Sequence, residues 1–152
     1  MRDNQWLVKR FQTLREAHFP DIVLVNEIII GFGRNSKTRL GSIALRRKGR
    51  EKRRLLKTEI KNLSKETAVS IITLSGHLRE EAVPEEVLDA VIAHEFCHYL
   101  HGFNSVREQN FAHPHKGGII DKEMVARGLG ETLRLQKKWL KEEWREYVGK
   151  LK

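Results

Sequence analysis

Residues 93–98 read Ala-His-Glu-Phe-Cys-His, two histidines bracketing a glutamate at the spacing His-Glu-x-x-His. On a helix, residues four apart stand on one face about one turn apart, so His94 and His98 can aim imidazole nitrogens at a single point. That is a two-toothed metal clamp. Glu95 is rotated by ~100° from His94, which suits it to reach a water on the metal rather than to join the ligands. With 7 His and 16 Glu in 152 residues, chance produces this pattern about 3% of the time. Its setting adds weight: the motif lies in an apolar helical stretch, and five of the seven histidines fall between 94 and 115.

A catalytic zinc site takes three protein ligands and keeps a fourth position for water. The chain offers His101, His113, His115, Asp121 and Glu123 as the third ligand. His101 shares the stripe of His94 and His98, but its ring sits a full turn further on, which makes it a helix-end histidine or a support to the ligands. His113 and His115 lie in HPHKGG, where Pro114 stiffens the loop and the glycines permit close backbone approach. One of these two is expected to ligate. Glu123 would instead complete a site of the glutamate type, with a plain exposed helix carboxylate as its simpler reading. His18 and His77 receive no chemistry. The single cysteine, Cys97, excludes an intramolecular disulfide framework and a four-cysteine zinc ribbon, and reads as a small buried hydrophobe.

These residues need elements to position them. Leu7, Phe11, Leu14 and His18 stand at helical spacing and Pro20 stops them, so an N-terminal amphipathic helix is expected. Strands are expected over Ile22–Gly33, Arg39–Arg47 and Ala68–Leu78. The stretch between the last two begins as a basic turn, and its second half fits helix or strand equally. Pro84-Glu85-Glu86 opens a second helix, with acids near its positive end, Val87, Leu88, Val91 and Ile92 as a broad apolar face, and Gly102 as its stop. A polar loop over Phe103–Gly118 and a short segment follow. Glu131–Val148 then forms an amphipathic helix with Leu133, Leu140, Trp144 and Tyr147 on one stripe, packed on the core or covering the cleft. The class this predicts is α+β, one domain over residues 1–152.

The net charge of +9 is localised. Residues 34–61 hold 12 Lys/Arg and 2 Asp/Glu, and the rest of the chain is close to neutral. The densest run comprises Arg46, Arg47, Lys48, Arg50, Lys52, Arg53 and Arg54. A solvated turn would account for it, yet it is also the footprint of phosphate binding, and weak sequence-independent nucleic-acid contact is expected. No aromatic residue interleaves, so base stacking has no platform there. No apolar run approaches a membrane span, and MRDNQWLVKR does not resemble a signal peptide. A cytoplasmic location is expected, with association to the nucleoid compatible with it.

The order of helix, three strands, PEEVLDAVIAHEFCHYLHG, polar loop and HPHKGGIIDKEM resembles the SprT-like zinc metalloprotease domain over Phe11 to Leu129, and more loosely its YgjP-like relatives. The resemblance implies a small zincin-like domain, a Zn2+ cofactor, and a third histidine ligand in a pattern like His-Gly-x-x-Phe. That pattern selects His115, although Lys116 stands where the glycine would be and Ile119 where the aromatic would be. It also implies peptide hydrolysis of proteins attached to DNA, a role in DNA repair, and DNA as recruiter and activator. A Cys-rich C-terminal ribbon, found in many relatives, is absent. Two other functions compete: a nucleic-acid-binding protein with a structural or inactive metal site, and a metal-dependent hydrolase of a non-protein substrate. An open coordination position beside Glu95 favours the peptidase, because structural zinc sites are closed by four ligands.

Overall fold

Asp3 accepts the Trp6 amide through its side chain at 2.8 Å and so opens helix α1, Asn4–His18. That bond satisfies one of the helix's orphan donors. Leu7, Phe11 and Leu14 form its buried face. The computed structural model describes residues 1–151.

The three strands are β1 (Glu27–Phe32), β2 (Gly41–Arg47) and β3 (Ala68–Leu74), in the order β1-β3-β2. β3 runs parallel to β1 and antiparallel to β2. Ile30, Ile72 and Ile43 are register partners across the sheet and give it one apolar row against the core. The sheet is mixed and the architecture α+β.

β1 begins later than its β-branched sequence predicts, and the reason lies on another element. The Tyr99 hydroxyl accepts from the amides of Val25 (2.9 Å) and Asn26 (3.2 Å), so these groups are paired before a neighbouring strand can claim them. β3 likewise stops at Leu74, because Ser75 accepts the His77 amide and starts a 3-10 turn, Gly76–Arg79. The ambiguous stretch after the basic turn is a short helix, α2 (Lys57–Lys61). Leu63 beyond it packs with Leu45 and Ala68 in a small satellite cluster.

Helix α3, Glu85–Leu100, is the centre of the molecule: 13 of its 16 residues are buried, so it must be covered on nearly every side. The sheet, α1, α4 (Ile119–Ala126) and α5 (Gly130–Trp139) supply the cover. Arg10 on α1 grips the buried Asp89 with a two-pronged bond, Nε–Oδ1 2.6 Å and Nη2–Oδ2 2.5 Å. The end of α3 closes in a paired motif: Phe103 N donates to His98 O (2.9 Å) and Gly102 N to Tyr99 O (3.1 Å).

The C-terminal helix departs from its expected stripe. α5 passes through a π turn, Leu140–Trp144, into α6, Arg145–Gly149. The wider turn brings residues five apart onto one side, so Trp139, and not Leu140, joins Trp144 and Tyr147, with ring centroids 5.6–5.9 Å apart. These aromatics pack against the core. Among the described residues, no helix is long and apolar enough to cross a membrane.

Candidate metal centre

His94 and His98 stand one turn apart on α3, and their Nε2 atoms approach to 3.1 Å. His115 arrives from the loop ahead of α4, its Nε2 3.3 Å from that of His94 and 3.0 Å from that of His98. Three nitrogens thus form a small, nearly equilateral triangle. An imidazole Nε2 carries either one proton or one in-plane lone pair, so three cannot all be satisfied by bonds to one another. A single cation between them satisfies all three. Four ligands at ~2.0–2.1 Å around zinc lie about 3.3 Å apart, which the observed separations approach.

The electrostatics keep these rings in the state a metal requires. Burial, with the neighbouring His94, His115 and His101, pushes His98 down to about 4, and burial followed by His115 also lowers His94. Both rings are therefore neutral at neutral pH, the form in which an imidazole can bind a cation. The His98 Nδ1 is buried with no partner among the described residues, so this ring works through Nε2.

Glu95 lines the same cleft, whose volume is about 340 Å³ and whose walls include Arg39, Gly41, Phe103, Pro114 and the three histidines. The residue is 7% exposed. Burial raises its carboxyl to about 7, and Arg39 opposes the rise. A buried carboxylate beside converging imidazoles is an arrangement of the kind found at functional sites.

The other ligand candidates are placed elsewhere. His113 is exposed and outside the triangle. Glu123 is neither ligand nor free surface carboxylate: its Oε1 lies 3.0 Å from the Nε2 of the buried His101, and its Oε2 accepts from Arg127 at 3.1 Å. Arg127 in turn grips Asp21. Asp121 pairs with Lys137. Cys97 is fully buried, and burial pushes its thiol up to about 12, consistent with a packing role.

The glycines after His115 act differently from the expectation that they allow close approach. An added Cβ at Gly117 or Gly118 meets nothing within 4 Å. What needs glycine is the backbone, with φ of +76° and +66° on consecutive residues. Two left-handed residues turn the chain from His115 into α4.

Gly41 was not legible as a site residue. A Cβ there would lie 2.5 Å from Val91 Cγ1 and 3.2 Å from Glu95 Oε1, so the start of β2 packs directly on the carboxylate. A glycine within a stretch that otherwise reads as strand is the sequence signal for such an approach. Arg39 and Phe103 carried no signal of their own as site residues.

The basic run begins on the last two residues of β2, Arg46 and Arg47, and continues through the turn that follows, where Arg47 bridges to Arg50. Lys48 pairs with Glu27 and Arg53 with Glu59. Arg46, Arg47, Arg50, Lys52 and Arg54 have no carboxylate partner among the described residues. Compared with protein-family models, curated proteins and solved structures, the chain finds no match.

Proposed function

We propose that the chain is a zinc-dependent metallopeptidase of the SprT-like, zincin-like kind, acting on proteins associated with DNA. The observation that carries this reading is the triangle of three Nε2 atoms, 3.0–3.3 Å apart, beside the buried Glu95. His94, His98 and His115 would hold the zinc. Bound there, zinc supplies Lewis acidity, lowering the pKa of a water toward ~7 and offsetting charge that develops on a carbonyl oxygen.

The chain's own residues do the rest. Glu95, in the same cleft wall as the histidines, takes the proton of the attacking water and returns it to the leaving amine. Gly41 gives that carboxylate the room it occupies. β2 is an edge strand, so a substrate in extended form can add to its free rim by backbone hydrogen bonds while its carbonyl lies over the centre. At ~3.3 Å per residue, β2 carries the chain from the cleft to the basic turn in about 20 Å. Unpaired cations at that distance suit a DNA backbone near the protein being cut, with affinity from counterion release.

Casein hydrolysis by zinc-loaded protein, with and without duplex DNA, is the test. Cleavage that a chelator abolishes and zinc restores is the expected result. Cleavage indifferent to chelation would overturn the reading.

A further inference from the structure

The loop between β1 and β2, residues 33–40, is fixed at its ends and in its middle. Gly33 N donates to Leu74 O and Ser75 N to Leu40 O, each at 2.8 Å. Ser36 and Ser75 exchange two bonds: the Ser36 amide donates to Ser75 Oγ (2.9 Å), and that hydroxyl donates to Ser36 O (2.7 Å). From the C-terminal helix, Trp144 Nε1 donates to Lys37 O at 3.1 Å. Side chains on this loop therefore start from a set backbone.

Three of them are cations. Arg34, Lys37 and Arg39 wall a cleft of about 530 Å³, with Ser42 and Thr73, which are paired across β2 and β3, adding hydroxyls. None of the three cations pairs with a carboxylate among the described residues. Unpaired cations gathered on one cavity repel one another, and an anion placed among them relieves that repulsion. Guanidinium groups hold a carboxylate by two parallel bonds. This cleft adjoins the metal centre, for Arg39, Gly41 and Ser42 line both. Whatever occupies it lies next to a group held over His94 and Glu95.

We propose that the Arg34–Lys37–Arg39 cleft is a specificity subsite for an acidic side chain, Asp or Glu, of the peptide substrate, close in sequence to the bond presented to the metal centre. This rests on the peptidase reading. A bounded cleft sharing a wall with the centre suits one side chain of an extended peptide, whereas the open basic turn at the far end of β2 suits an extended polyanion.

The test is fluorescence anisotropy with zinc-loaded Glu95→Gln protein and short labelled peptides in which one Glu, stepped along the sequence, is exchanged for Gln. At the matching position the Glu peptide should bind at least about tenfold more tightly. Arg34→Gln/Lys37→Gln, both exposed positions, should erase that difference, and the charge-matched control Lys9→Gln/Lys65→Gln, also exposed, should keep it. Equal binding of Glu and Gln peptides at every position overturns the proposal, as does a preference that survives Arg34→Gln/Lys37→Gln. Loss of affinity for a double-stranded oligonucleotide in that variant, with the peptides unaffected, assigns the cleft to nucleic acid and also overturns it. The peptidase reading is scored separately, by mass spectrometry of the same peptides with zinc-loaded wild type. No cleavage of any of them sinks that reading and the subsite with it, whatever the anisotropy gives.

Discussion

His94 and His98 could be paired from sequence because helix geometry is local: a spacing of four residues fixes a shared face. The third histidine could not be read that way, since it comes from a loop seventeen residues further on. Spacing left His113 and His115 open, and only the resemblance selected between them. Glu123 was misjudged for the same reason. Its partner, His101, lies 22 residues away, and the pairing arises from how α4 lies on α3. Removal of any of the three converging histidines should therefore abolish equimolar zinc binding, measured by metal analysis after dialysis. His113→Ala should retain one zinc per chain. Glu123→Gln should also retain it while losing about 1–2 kcal/mol of stability in denaturant titration, because a buried histidine loses its charged partner. Gly41→Ala should separate metal binding from the proposed hydrolysis. Its methyl group would displace Glu95 and press on Val91, at a stability cost of about 1–3 kcal/mol. Zinc content should stay unchanged while kcat/KM falls.

Each element reports where local pattern ceased to decide. The helical periodicity that placed α1 and α3 also placed Leu140 on the apolar stripe, but a π turn is invisible to a 3.6-residue period, and it puts Trp139 there instead. The strand-like composition of residues 22–26 yielded to hydrogen bonds that the Val25 and Asn26 amides donate to a tyrosine on α3. Two predictions belong at this scale. In the turn delivering His115, a non-glycine residue in the left-handed region costs about 1–2 kcal/mol, so Gly117→Ala is expected to weaken zinc binding roughly five- to thirtyfold by titration. Lys116→Ala, next to it with ordinary backbone, should leave the affinity unchanged. Trp144→Ala removes a half-buried ring and its bond to the Lys37 carbonyl, and should lower unfolding stability by about 2–3 kcal/mol. Among the described residues, no side chain of Gly130–Gly149 lines the cleft of the three histidines, so this helix bears on it from outside, through packing, the Lys137–Asp121 pair and the Trp144 bond to the Lys37 carbonyl.

At the scale of the whole molecule, the sheet sets a geometry that composition could only hint at. The sequence localised the surplus charge to residues 34–61; the fold divides it between a cleft beside the three histidines and a turn at the opposite end of β2. If the turn contacts DNA by counterion release, affinity must fall steeply with salt, and Arg50→Gln/Lys52→Gln/Arg54→Gln should flatten the log–log slope by about 2–3 in electrophoretic or anisotropy titrations. Both surfaces serve one claim, that three histidines and Glu95 make a hydrolytic metal centre. The direct measurement is zinc content and peptide hydrolysis on the same preparations of wild type and Glu95→Gln. One zinc per chain in both proteins, with hydrolysis in the wild type only, is the predicted result. A wild type that takes up no zinc, or a zinc-loaded Glu95→Gln that cleaves at the wild-type rate, would contradict it.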